Sequence, residues 1–333
     1  MSRLVFLDIF ASIGILLVII FHLSGFANVG IKDQLHFFVP MNLGNIAILY
    51  FFFRSGYGLY NSRKDSWLLF FKNRLVKIIP ALAITTILTL SLSFLLFDKI
   101  IFTKDGNINL ITFFSNLFGI QSWFNVETLN ISTWFISTII FFYLLFPLIF
   151  WVIQRNNRLI KMGVPLMVIA LLFLFNRYTY YLPRYYYYFI VFLAGILIAK
   201  YKNNINVGAS DKVRTSGLII YIVAYFYVLI RYRTFFEHFP VTEFLKNIID
   251  ILIIINCYYI FSSIDFGKHL EKLFYKVSDH SYYLFLVHYP VIKFLNAYNN
   301  NNTSIYFLEF AFIIILSSVL LKKADTYIRS KFL

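Results

Sequence analysis

A histidine and an aspartate stand inside the first apolar stretch, Leu7 to His22, which reads LDIFASIGILLVIIFH. An ionisable side chain is costly in hydrocarbon, so a span that keeps one has a polar use for it. If the stretch is helical, the fourteen residues from Asp8 to His22 make nearly four turns and put both side chains on roughly one face, about 21 Å apart. One stripe of that helix then faces a polar cavity. The plainer reading has Asp8 capping the helix near one surface while His22 reaches the opposite headgroups. An imidazole titrates near neutral pH, so in a cavity it suits removal of a proton from an attacking hydroxyl.

Four further segments bring polar groups into apolar surroundings. FFFRSGYGLY sets Arg54 within hydrocarbon depth, beside Ser55, Gly56 and Gly58, whose small size permits close helix packing. A lone arginine there either snorkels or has a partner, and six residues separate it from the helix end expected at Tyr60. In FFKNRLVKIIPAL, Arg74 and Lys77 are three apart and share a helix face just before Pro80. Such a pair grips phosphate or anchors the helix in anionic lipid, and spacing alone favours the anchor. TWFISTIIFFYLLFPLI carries Trp134, Tyr143 and Pro147, which by themselves read as an interfacial aromatic, a packed aromatic and a helix-end proline. Glu127 lies just outside that span. SDHSYYLFLVHYPV places a second imidazole, His288, within a later span, with Lys293 further along.

These residues need elements to position them, and composition says which. Of 333 residues 60% are hydrophobic and 14% charged, with 41 Phe and 25 Tyr, more apolar and aromatic surface than a soluble fold of this size buries. The expectation is an all-α, polytopic integral membrane protein forming one domain over 1–333. Apolar runs near 5–26, 40–60, 78–97, 133–153, 161–176, 185–200, 216–232, 245–263, 281–297 and 304–321 give about ten transmembrane helices, at roughly 20 residues each. The net charge of +15 is spread over connecting loops, without the compact basic-aromatic patch of a nucleic-acid binder. With the N-terminus inside, 20 of the 30 basic residues fall on cytoplasmic segments, so both termini are expected in the cytoplasm. The first span is too long for a cleavable signal peptide. Cys257, the single cysteine, excludes an intrachain disulfide and a multi-cysteine metal site, and neither a glycine-rich nucleotide loop nor an HExxH helix occurs. Segment 98–132, with its amphiphilic stretch Leu110 to Phe124, is expected to lie in the outer interface or dip back as a partial lid.

Taken in order, the segments resemble the acyltransferase-3 family of membrane acyltransferases, which includes bacterial O-acetyltransferases of cell-surface polysaccharides. The likeness spans nearly the whole chain. It rests on Leu7, Asp8 and His22, on Phe51 to Gly56, on Arg74, Lys77 and Pro80, on Trp134 to Pro147, and on Ser281 to Pro290. It implies a bacterial plasma-membrane enzyme that moves an acyl group from acyl-coenzyme A to a hydroxyl of a surface or capsular polysaccharide or its lipid-linked precursor. The donor implied is usually acetyl-coenzyme A, with no metal. The family's essential histidine falls on His22 and its cytoplasmic basic motif on Arg74 and Lys77. Two positions depart: Ala11 stands where members commonly carry arginine, and Ile139 where many carry an acid.

A sugar hydroxyl attacks a thioester poorly without a base to take its proton and donors to hold the oxyanion. His22 is expected to be that base, or to carry the acyl group itself. Asp8 lies too far along the helix to orient His22, and Glu127, expected near the outer end of the first span, is the candidate partner, so the catalytic set is His22, Asp8 and Glu127. Arg74 and Lys77 are expected to hold the coenzyme A phosphates, with Ser55, Tyr143 and His288 lining or bracing the cavity. Arg54 and Ala11 each stand six residues inside their spans, about 9 Å deep, so Arg54 is expected to supply the missing guanidinium, pair with Asp8 and face the donor. A glycan or lipid-linked sugar transporter, and a scaffold subunit of an envelope-synthesis complex, account for the same polar residues without covalent chemistry.

Overall fold

Hydrocarbon offers the backbone no hydrogen-bond partner, so apolar runs of this length close their bonds internally as helices. The computed structural model describes residues 5–26, 43–62, 66–124, 126–178, 185–201, 240–298 and 303–332, and among them every regular element is helical. In chain order these are α1 (Val5–Phe26), α2 (Leu43–Tyr60), α3 (Trp67–Phe97), α4 (Leu110–Leu117), α5 (Trp134–Gln154), α6 (Arg158–Tyr178), α7 (Tyr185–Tyr201), α8 (Pro240–Ser263), α9 (Gly267–Tyr298) and α10 (Thr303–Phe332). Short 3-10 turns occupy Gln121–Trp123 and Ile131–Thr133. Among the described residues, four segments are long and apolar enough to cross a membrane: Val5–Ser24, Trp67–Phe97, Ile131–Gln154 and Ile305–Lys331. Tyr185–Tyr201 and Ile248–Ser262 are apolar but shorter. Leu16, Leu88, Leu95, Leu308 and Phe312 point outward and are exposed, as a lipid-facing surface requires. The expected span at 216–232 lies outside the described residues.

Three helices outrun the hydropathy pattern, α10 by continuing past 321 to Phe332. α3 begins at Trp67 rather than near 78, so Arg74 and Lys77 share one helix with the apolar span and Pro80 is inside it. α9 begins at Gly267, because its charged first half, GKHLEKLFYKVSDH, continues the helix without being apolar. Pro147 likewise stands inside α5 and not at its end. An interior proline deletes one backbone donor, and neighbouring helices re-satisfy the freed carbonyl in membrane proteins.

The chain forms two compact units, Met1–Tyr60 with Val191–Ser281, and Asn61–Ile190 with Tyr282–Leu333. In the first, α1 and α2 run antiparallel. Phe10 stacks on Tyr50 at 4.8 Å between ring centroids, Phe6 meets Tyr57 edge-on at 5.0 Å, and Gly14 faces Phe51 and the Ala47 carbonyl. Tyr258 of α8 closes on Phe6 at 5.0 Å. α2 and α7 approach closely at two glycines: a Cβ on Gly56 would stand 2.0 Å from the Phe192 carbonyl oxygen, and one on Gly195 2.2 Å from that of Phe53. For Gly58, grouped with Gly56 by sequence, a Cβ would meet nothing within 4 Å among the described residues.

In the second unit, Phe70 stacks on Phe146 at 5.4 Å to join α3 to α5, and Phe97 stacks on Phe294 at 6.2 Å to join α3 to α9. The segment after α3 is knitted by its own side chains. Ser93 Oγ donates to the Lys99 carbonyl and accepts from Ile101 N, both at 2.8 Å, while Asn116 Nδ2 donates to the Glu127 carbonyl at 2.9 Å. α4 is amphipathic in reverse, with Thr112, Ser115 and Asn116 buried and Leu110, Ile111 and Phe114 exposed. A polar face turned to protein and an apolar face turned outward suit the membrane interface.

Candidate functional site

Four helices of the second unit meet at a basic corner. The Arg74 guanidinium lies 5.5 Å from the Phe70 ring centroid, so the stack that joins α3 to α5 also positions this cation. Lys77, exposed and nearly one turn further along α3, feels the charges of Arg74 and of Arg329 near the end of α10. Arg329 is held from two sides. Its Nη2 donates to Asp325 Oδ2 one turn earlier and to the Tyr283 hydroxyl of α9 at 2.5 Å, while that hydroxyl donates to Asp325 Oδ2 at 2.6 Å. The Tyr282 hydroxyl donates to the Ile78 carbonyl at 2.7 Å and fastens α9 to α3 beside Lys77. Tyr143 of α5 bears on Tyr282 electrostatically, as do Asp325 and Arg329. Three cations beside one fully buried carboxylate make a place for an anion with several oxygens, such as a phosphate.

The sequence reading singled out Arg74, Lys77 and Tyr143 here and missed Tyr282, Tyr283, Asp325 and Arg329. The one local signal was an acid and an arginine at i, i+4 on the last helix.

His288 is fully buried in the same unit. Its Nδ1 lies 2.8 Å from the Phe285 carbonyl and 3.2 Å from that of Leu284, so in the neutral ring Nδ1 carries the hydrogen and Nε2 accepts from Ser132 Oγ at 3.2 Å. Asn130 Nδ2 donates to the Leu286 carbonyl at 2.8 Å, and Asn130 Oδ1 accepts from Ser132 N at 3.1 Å. Through these bonds α9 grips the entry to α5. Ser132 and Asn130, polar residues in the turn before a span, were not singled out by sequence. Glu127 is exposed; its Oε1 accepts from Lys104 N at 3.4 Å within the same connecting segment.

In the first unit α1 is unbroken from Asp8, which is buried, to His22, which is partly buried with its ring 5.4 Å from that of Phe21. The pairs Phe6–Tyr57 and Phe10–Phe53 set the antiparallel register and bring Asp8 level with Arg54 and Ser55. Ala11 lies almost one turn deeper and has no exposed surface, so Arg54 matches the depth of Asp8 better than that of Ala11. Arg54 Nη2 donates to Ser278 Oγ at 3.3 Å, and Ser12 Oγ donates to the Phe274 carbonyl at 2.8 Å, so α1 and α2 both dock on one turn of α9. Asp250 of α8, which the sequence reading passed over, is fully buried and accepts from Asn45 Nδ2 at 3.1 Å. Among the described residues, no three His, Cys, Asp or Glu side chains gather as a metal site.

Apolar helices of membrane length, carrying buried polar clusters on their inner faces, define a helical membrane protein. Residues 4–322 match the acyltransferase domain model of the acyltransferase-3 family, and the chain belongs to that family of membrane acyltransferases. No curated protein and no solved structure gives a match.

Proposed function

We propose that the protein is a multi-pass O-acetyltransferase of the bacterial plasma membrane. It moves acetyl from acetyl-coenzyme A to a hydroxyl of a surface polysaccharide or its lipid-linked precursor, with about ten spans and both termini cytoplasmic. Arg74 and Lys77 hold the coenzyme A phosphates. His22 takes the proton of the acceptor hydroxyl as it attacks the thioester carbonyl, the C–S bond breaks and coenzyme A leaves as its thiol with that proton, Arg54 pairs with Asp8 and faces the donor, and Glu127 orients His22. Ser55, Tyr143 and His288 line or brace the cavity. Membrane lipid is the surrounding partner; neither nucleic acid nor metal takes part. The observation that carries this reading beyond family membership is the basic corner: a lipid anchor needs only flexible exposed cations, whereas Arg74 lies against a buried ring, and Arg329, whose charge also reaches Lys77, is held by a tyrosine and a buried carboxylate.

The test is purified protein given radiolabelled acetyl-coenzyme A and an acceptor glycan. Wild type transfers label, and Arg74→Ala with Lys77→Ala raises the KM for acetyl-coenzyme A about tenfold or more, the loss expected of a charge-assisted hydrogen bond, with the acceptor KM unchanged. Glycan movement across vesicles without label transfer establishes the transporter instead.

A further inference from the structure

The last turns of α10 read LLKKADTYIRSKF, and Arg329 lies beyond residue 322, where the family match stops. Its surroundings are those of a binding group. Asp325 has no exposed surface, and its Oδ2 is saturated by Arg329 and the Tyr283 hydroxyl. Yet Asp325 Oδ1 and Arg329 Nε are buried with no hydrogen-bond partner among the described residues. A buried acceptor and a buried donor without partners are both costly, and a ligand that supplies a partner to each removes that cost. The donor stands near Lys77 and Arg74, so three cations share this corner with the single Asp325 carboxylate, and the net positive charge favours entry of a further anion.

We infer that Arg329 is the third cation of the donor site. Its guanidinium binds a phosphate of the nucleotide-bearing thioester, and Asp325 Oδ1 accepts from a hydroxyl or amide hydrogen of the same molecule. This rests on the reading of coenzyme A as donor. Tyr283 and Asp325 act as positioning residues, holding the planar fork at a fixed angle that lysine cannot reproduce.

The experiment compares two donors on one protein: acetyl-coenzyme A, and acetyl-pantetheine, which keeps the thioester and lacks every phosphate. In detergent-solubilised full-length Arg329→Gln, the KM for acetyl-coenzyme A rises about tenfold or more while its kcat stays within about twofold, and the KM for acetyl-pantetheine does not move. Arg329→Lys recovers part of the loss. Because both donors meet the same molecule, partial misfolding shifts both kcat values alike and leaves the KM contrast readable. If Arg329→Gln does not fold, Arg329→Lys alone must still show the contrast. Equal KM changes for the two donors, or none for either, overturn the inference. So does a variant that loses only its thermal stabilisation by phosphatidylglycerol, since the phosphate read is then a lipid headgroup. If wild type neither binds nor turns over acetyl-coenzyme A, the donor reading itself fails. If Arg74→Ala and Lys77→Ala raise the KM while Arg329→Gln does not, only this inference fails.

Discussion

His22 and His288 are the same residue type in apolar surroundings, and their environments separate them. His288 has both ring nitrogens bonded inside the fold, one to the Phe285 carbonyl and one to Ser132. His22 on α1 is only partly buried. His22→Ala is therefore expected to abolish acetyl transfer with normal membrane insertion, since removing a polar ring makes the span more apolar. Near-normal transfer by well-expressed protein would sink the assignment of base. His288→Ala leaves the Ser132 hydroxyl and the Phe285 carbonyl short of a partner, a loss of about 1–3 kcal/mol. It should melt earlier in detergent while turnover per folded molecule stays within about threefold, a span of roughly 0.7 kcal/mol. Arg54 and Asp8 call for a cycle rather than single changes. If they pair across α1 and α2, Arg54→Leu and Asp8→Asn each lower activity, and the double variant is little worse than either alone. Additive losses mean that the two residues act apart, with Arg54 serving chiefly through Ser278.

At the scale of elements, helix contacts turn on single methyl groups. Gly56→Ala would put a Cβ 2.0 Å from a backbone carbonyl oxygen, a clash no rotamer change relieves, while Gly58→Ala meets no atom of the described residues within 4 Å. The first is expected to cost at least about 1–3 kcal/mol and lower the melting temperature; the second should leave it unchanged. A thermal scan of both variants in one detergent decides it. The sequence could say that FRSGYG was built for close approach but not which glycine made it, because that depends on the angle at which α7 crosses. The same limit runs through the fold. Apolar runs marked the helices, yet the first half of α9 escaped notice because its lysines and acids hide a helix that hydropathy cannot see. His22, Arg74, Lys77 and Arg54 were legible as charges or imidazoles in apolar context. Asp325 and Arg329 were not, since LLKKADTYIRSKF reads as an ordinary basic tail, and only tertiary contact with Tyr283 and Lys77 distinguishes it.

For the whole molecule, chain order and compactness differ, since the first unit is assembled from stretches separated by Asn61–Ile190. Contacts such as Asn45 to Asp250 and Ser12 to Phe274 wait until most of the chain is made, so the helix order must be held by topology during insertion. Charge supplies that order. With 20 of the 30 basic residues on segments expected inside, the rule for positive loops predicts a cytoplasmic α3 start and α10 end, which fusions can test. The 23 residues from Arg74 to Phe97 span about 34 Å, so the connection that follows α3 emerges at the opposite face. Alkaline phosphatase inserted after Asp105 is expected to be active, and the same enzyme fused after Leu333 inactive, whereas a fluorescent protein at that end should glow. Opposite outcomes would place Arg74, Lys77 and Arg329 outside the cell, beyond reach of a cytoplasmic acyl-coenzyme A. The topology and the donor assignment therefore stand or fall on the same pair of fusions.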